Sequence, residues 1–441
     1  MINKNYPSNI SKKQIILLSI PVFFSNLAIP MVSLIDIGLM GNLSETRFLA
    51  AISIAVSVMT MVIWSFGFLR MGTVGIISQL HGRGDYREII KTIMRNLIFA
   101  FISAVIIVLL KPLIIKGIIY FFNSPNETQN LINTYLSIRF FSVPAELILY
   151  VLVGFYLGLQ KTNISSLIVI ILCTTNIILS SIFVLSFDLK IFGVALGTFF
   201  ASNLTVIIFL MYSYFYVIKN FQIIPRLNGI IVYSKFLKLF NINFDIFIRT
   251  IALTFSFLWI TYLGSKISED ILAVNTILMQ FIIFASFFLD AYAYSTEGVV
   301  GFTIGRKNKK SFLTAVNNSI RVSFITSILV SVVFLIFFKD IISILTDIEI
   351  LRFISFKYFG WIILIIPIAS FCYQLDGIFL GASQTKELRN GMIFSVMIFI
   401  LISIYSSKYF GNHGIWFSLL IFMALRSLSL NYFFNRILKK F

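Results

Sequence analysis

Asp36 stands in an apolar run, between Ile35 and Ile37, with no basic residue beside it in sequence. An ionised side chain near the centre of a bilayer costs at least about 2.5 kcal/mol, so an intramembrane acid is a functional candidate by default. Removal from water favours the neutral carboxyl, and a carboxyl that gains and loses water access can exchange a proton. That is the chemistry of proton-coupled transport. The structural alternative is a permanent pair with Arg70 or another base, or a place at a wetted helix end. Further along, Asn176 and Ser180 fall one helical turn apart, and Thr198 follows in the next apolar run after a turn expected at 193–197. Their oxygens suit a weak Na⁺ site shared with Asp36. They suit hydrogen bonding between helices equally well.

A second polar set lies in the later half of the chain. Asp245 and Arg249 are spaced i, i+4 and are expected to pair on one helical face. Arg249, Asn275, Asp290 and Asp376 make a candidate polar site, with the alternative that Arg249 rivets an aspartate between helices. Glu146, just after Pro144, is placed to pair with Arg139. Pro21 removes one helical hydrogen bond and permits a bend in the helix that carries Asp36. No catalytic or metal centre is expected: His81, in a basic loop, and His413, at the start of an apolar run, are the only histidines. Neither HExxH nor GxSxG occurs, so the grouping an enzyme needs is not evident. Cys173 and Cys372 sit in apolar runs, where packing is their expected role, with no disulfide.

The elements that must position these residues are membrane helices. Hydrophobic residues make up 59% of the 441 positions and charged residues 12%, with a mean hydropathy of +0.98. Water is the wrong solvent for such a chain. A span needs roughly 20 apolar residues, and runs of that kind occur about twelve times, including spans expected at about 47–80 and 132–159. The N-terminal stretch exceeds a signal-peptide core and is expected to remain as the first helix. The net charge of +18 is concentrated at alternate connections, which argues for a membrane orientation rather than for nucleic acid. Lys4, Lys12 and Lys13 precede the first span; further clusters form around Arg83–Arg95, Lys219–Lys238, Arg306–Lys310, Lys386–Arg389 and Arg436–Lys440. The positive-inside rule then puts both termini in the cytoplasm.

The chain also repeats itself. Thr73, Gly75, Gly82 and Arg83 recur as Thr296, Gly298, Gly305 and Arg306, and Pro144, Gly154 and Gly158 recur as Pro367, Gly377 and Gly381, always 223 residues on. An even number of spans per copy makes the copies parallel repeats about an axis along the membrane normal. The expected architecture is all-α and membrane-integral, with two pseudo-symmetric six-helix bundles. The N-terminal lobe is 1–217, the cytoplasmic linker 218–239, containing Pro225, Asn228 and Gly229, and the C-terminal lobe 240–441. A central cavity between the lobes is the expected transport route.

Several segments together resemble the MATE transporters, in their DinF-type branch. They are Leu69-Arg70-Met71 with Thr73 and Gly75; Ala273-Val274-Asn275 leading to Leu289-Asp290 and Ala293-Tyr294; Leu375-Asp376-Gly377 through Leu388-Arg389-Asn390; and Gly411-Asn412-His413 leading to Ala424-Leu425-Arg426. The resemblance covers essentially the whole chain. It implies a V-shaped transporter that expels amphipathic or cationic organic compounds by antiport with H⁺, or alternatively Na⁺, through alternating access. It also implies that Asp36 is the protonation site, that its helix bends at Pro21, and that Asn176 and Thr198 belong to the N-lobe polar cluster. Ser180 departs from the pattern, since relatives place a second Asp there; weaker Na⁺ coordination and proton coupling through Asp36 alone are expected, or else a partial loss of coupling. The expected partners are small organic substrates and membrane lipids, with no nucleic acid and no cofactor beyond the coupling ion. The chain is expected to act as a monomer in a bacterial inner membrane. A flippase for lipids or lipid-linked precursors is the alternative within transport.

Overall fold

The computed structural model describes residues 10–41, 43, 46–122, 125–225 and 229–441. Lys4 and Asn228, named above, and Arg226, which falls within the Lys219–Lys238 cluster, lie outside these residues. The helices are α1 (Lys12–Gly41), α2 (Thr46–Ser65), α3 (Phe68–Arg83), α4 (Tyr86–Phe122), α5 (Asn126–Arg139), α6 (Val143–Gly158), α7 (Thr162–Ser181), α8 (Lys190–Phe221), α9 (Tyr233–Ile267), α10 (Glu269–Gly305), α11 (Lys309–Leu345), α12 (Glu349–Gly381), α13 (Thr385–Phe410) and α14 (Asn412–Leu438). With α2–α3 and α5–α6 each taken as one crossing, twelve stretches among the described residues are long and apolar enough to span a membrane. At 1.5 Å per residue, the 37 residues of α10 or α11 reach about 55 Å, well beyond a hydrocarbon core of about 30 Å. Helix ends therefore project into headgroups and water.

Two crossings carry an internal break, and two local expectations need correction. The span expected at 47–80 breaks between α2 and α3, where the amides of Phe66 and Gly67 bond to Ile63 and Trp64 in a tight turn. The span expected at 132–159 is interrupted by a 3₁₀ turn at Phe140–Ser142; Pro144, lacking an N–H, follows it at the start of α6, where a missing donor is tolerated. The residues 193–197 are not a turn but lie within α8. His81 belongs to the end of α3 and is buried, rather than sitting in a loop. Helix also takes both ends of the 218–239 segment, leaving residues 222–225 and 229–232 as the described non-helical residues of the connector.

The chain divides into two compact units. One comprises residues up to Phe23, Gly82–Gly84 and Asn241–Phe441; the other comprises Phe24–His81 and Asp85–Phe240. The division falls within α1, two residues after Pro21. On the first side of it, Ser19 and Ser295 share a hydrogen bond of 2.7 Å, and Phe23 stacks on Phe288. On the second side, the Ser25 hydroxyl donates to Ser166.

Each sequence repeat uses the other's local solutions. Gly84 and Lys307, 223 residues apart, both take positive φ. The next residue, Asp85 or Asn308, accepts the backbone N–H three positions on and caps the following helix. Gln160 and Ser383 form a second equivalent pair with positive φ, closed by Lys161 N–H to Tyr156 and Gln384 N–H to Phe379 at 2.8 and 2.9 Å. Gly154 and Gly377 mark where helices press together: a Cβ on Gly154 would lie 2.6 Å from the Arg70 carbonyl oxygen, and one on Gly377 would lie 2.6 Å from that of Ala293. Arg70 and Ala293 are themselves repeat-equivalent.

Candidate functional site

In the unit that holds Asn176, α7 and α8 approach closely at Gly197, where a Cβ would sit 2.6 Å from the Ser180 amide nitrogen. This approach lets short polar side chains meet. Asn176 donates through Nδ2 to Thr198 Oγ1 at 2.9 Å, Ser180 donates weakly to Asn176 Oδ1 at 3.4 Å, and Thr198 donates to the Val194 carbonyl. The expected trio is thus brought together, uncharged and largely self-satisfied. Asn176 Oδ1 keeps acceptor capacity, but neither α7 nor α8 supplies an acid to this trio.

Asp36 lies in the same unit, is 4% exposed, and leaves Oδ1 without a hydrogen-bond partner among the described residues. It makes no hydrogen bond to the trio. Its titratable neighbours are on α5, where the Arg139 guanidinium and the neutral phenol of Tyr135 interact with it electrostatically. Arg139 is itself committed to the Glu146 carboxylate, as the sequence suggested. Glu146 also accepts from Ser142 at 2.9 Å and from Ser202 at 3.3 Å, so the pair bridges the 3₁₀ break and ties it to α8. The guanidinium is therefore not a permanent clasp on Asp36. Sequence reasoning missed Tyr135, Ser142 and Ser202; only the i, i+7 spacing of Arg139 and Glu146 signalled this network.

In the other unit, the expected Asp245–Arg249 pair does not form. Asp245, the thirteenth residue of α9, instead accepts from Arg389 at 2.6 Å and Thr385 at 2.9 Å, both in the first turns of α13. Arg249, one turn on, binds Asp376 of α12, and Arg426 of α14 reaches the same carboxylate oxygen at 2.7 Å. Asp376 is the rivet that the alternative reading named, with a second guanidinium that nothing local announced. Asn275 stands apart: it exchanges two hydrogen bonds of 2.8 and 2.9 Å with Asn412 and accepts from Trp416 Nε1 at 3.0 Å. Asp290 follows it on α10 by four turns, about 22 Å along the axis, so the four residues do not form one cluster. Glu297 is buried at the α10–α12 contact, where Gly381 meets its carbonyl. Both cysteines are buried, Cys173 in α7 and Cys372 in α12.

Comparison with known proteins places this arrangement. The MatE family model matches the chain twice, at residues 21–182 and 246–407. The Escherichia coli K12 protein described as DNA damage-inducible protein F is 29% identical over 403 residues, 90% of this chain and 86% of that one. The Staphylococcus saprophyticus multidrug export protein MepA is 23% identical over 53% of this chain and 52% of its own. Among solved structures, an outward-facing multidrug resistance MATE transporter of the MOP superfamily superposes with a TM-score of 0.88, covering 98% of this chain and 97% of that one at 18% identity.

Proposed function

The protein belongs to the MatE family, and from that premise we propose that it exports amphipathic or cationic organic compounds by antiport with H⁺, using Asp36 as the proton carrier. It is a multi-pass membrane transporter and not an enzyme. The observation that carries the proposal is the Asp36 carboxyl, buried in one unit with an oxygen unpartnered among the described residues, on a helix whose first turns belong to the other unit. A group so placed can take a proton in one state and release it in another. Pro21, two residues before the division in α1, frees the Leu17 carbonyl from its helical bond and is the proposed bending point.

Coupling requires that protonation and substrate binding favour different states; equal affinity for both would drive nothing. Each charge moved is worth about 2.3 kcal/mol per 100 mV, so one proton supports a useful gradient of a neutral compound. Export of a monocation against that potential offsets the electrical contribution and leaves the pH difference as the drive. Proton rather than Na⁺ coupling is favoured by Ser180, which leaves the Asn176–Thr198 pair without a second carboxylate. The basic connections favour cytoplasmic termini in a bacterial inner membrane.

The test is efflux of a fluorescent organic cation from vesicles, with pH and Na⁺ gradients imposed separately, for the native protein and Asp36→Asn. Loss of H⁺-driven efflux with retained folding is expected. Unchanged efflux would remove Asp36 from the mechanism, and a strict Na⁺ requirement at constant pH would replace the proton by Na⁺.

A further inference from the structure

The connector between α8 and α9 leaves one membrane span and enters another, so it must run along a bilayer surface. Its described part is not built like an aqueous loop. Ile230 is buried, and its carbonyl accepts from Arg95 Nε of α4 at 2.8 Å. Arg95 is anchored in turn by Glu88 at 2.8 Å, and Lys235 reaches the same carboxylate at 3.4 Å. This clip fixes the strap to α4 and turns the flanking residues outward: Ile231 is 84% exposed and Tyr233 81%. Leu237 and Phe240, on the Tyr233 face of the first turns of α9, are exposed as well. The half-exposed Lys235 and the exposed Lys238 share the first turns of α9 with them, and the exposed Lys219 stands in the last turn of α8, at the other end of the connector. Near Gly229, the Lys91 Nζ lies 3.5 Å from the Cβ position.

Large apolar side chains held outward by a buried clip, within a turn or two of several lysines, fit the boundary between acyl chains and anionic headgroups. We propose that residues 229–240 form a docking surface for anionic phospholipid, with Ile231 and Tyr233 entering the acyl boundary and Lys219, Lys235 and Lys238 meeting lipid phosphates. Charge complementarity and continuity with the membrane-facing surfaces of α8 and α9 commit the surface to this occupant. The strap joins the two repeats, so the lipid would hold the one covalent link between them in the interface.

The test uses the full chain in nanodiscs of phosphatidylcholine with increasing phosphatidylglycerol, carrying an environment-sensitive fluorophore at Ile231→Cys. A second label at Asp347→Cys, a fully exposed position, gives the aqueous reference. Quenching of the Ile231 label by doxyl lipids, rising with phosphatidylglycerol and falling with salt, is expected. Lys238→Gln should weaken the apparent lipid affinity about fivefold, and the Lys219→Gln/Lys235→Gln/Lys238→Gln variant should remove the phosphatidylglycerol dependence. Should the triple variant not fold, Lys238→Gln decides the question alone. Iodide quenching equal to that at position 347, lipid quenching indifferent to phosphatidylglycerol, or protection from both quenchers would each overturn the proposal.

Discussion

Substituting Gly377 by alanine tests whether the repeat is a packing solution or only a sequence echo. The new Cβ would sit 2.6 Å from the Ala293 carbonyl oxygen and 3.2 Å from its Cα. These are backbone atoms of α10, so no rotamer change relieves the clash and α10 and α12 must separate by several tenths of an ångström. Overpacking of this kind costs about 1–3 kcal/mol, while the gain in helix propensity on losing a glycine is about 1 kcal/mol. Gly117 and Gly360 have nothing within 4 Å of their Cβ positions, so Gly117→Ala and Gly360→Ala keep the gain without the clash. Gly377→Ala should therefore melt below Gly360→Ala by the overpacking cost alone. At about 2–4 °C per kcal/mol for a unit of this size, the gap is roughly 2–12 °C in thermal unfolding followed by tryptophan fluorescence. Gly154→Ala, with the same 2.6 Å approach to the Arg70 carbonyl, should fall below Gly117→Ala by a similar margin. If both variants melt with their controls, the helices are not in the contact described, and the equivalence of the two units fails with it.

Three further outcomes follow from the buried polar groups. Asp376→Asn leaves Arg249 and Arg426 without their shared anion and should destabilise the protein by about 3–5 kcal/mol, read by denaturant titration; Arg249→Gln, which leaves Asp376 its bond to Arg426, should cost less. Asn275→Ala strands Asn412 and Trp416 Nε1 and should cost about 1–3 kcal/mol in the same assay, with H⁺-driven efflux of the folded fraction retained. Ser180→Asp restores a second acid beside Asn176 and should make efflux respond to a Na⁺ gradient at constant pH; no response, in a variant that still folds, would show that Asn176 and Thr198 do not ligate the ion.

Composition and periodicity were enough to determine the solvent, the twelve crossings and the internal repeat, because a membrane span is a local property: each backbone bond closes within its own helix, and about 20 apolar residues suffice. Gly154 and Gly377 were legible as a repeated pair, but that they mark close approaches of helices, and that Asp85 and Asn308 cap the helices that follow them, depends on how the chain packs. Arg139 with Glu146 was legible too, being two turns apart on what is nearly one helix. Partner choice among distant charges was not. Asp245 had Arg249 one turn away and took Arg389 instead, while Asp376 drew one guanidinium from 127 residues before it and another from 50 residues after it. Helical spacing says which side chains share a face; only the packing of α9, α12, α13 and α14 decides which faces meet. The same holds for Asp36, whose isolation from bases was visible in the chain, whereas its burial beside a guanidinium already held by Glu146 is a product of tertiary structure.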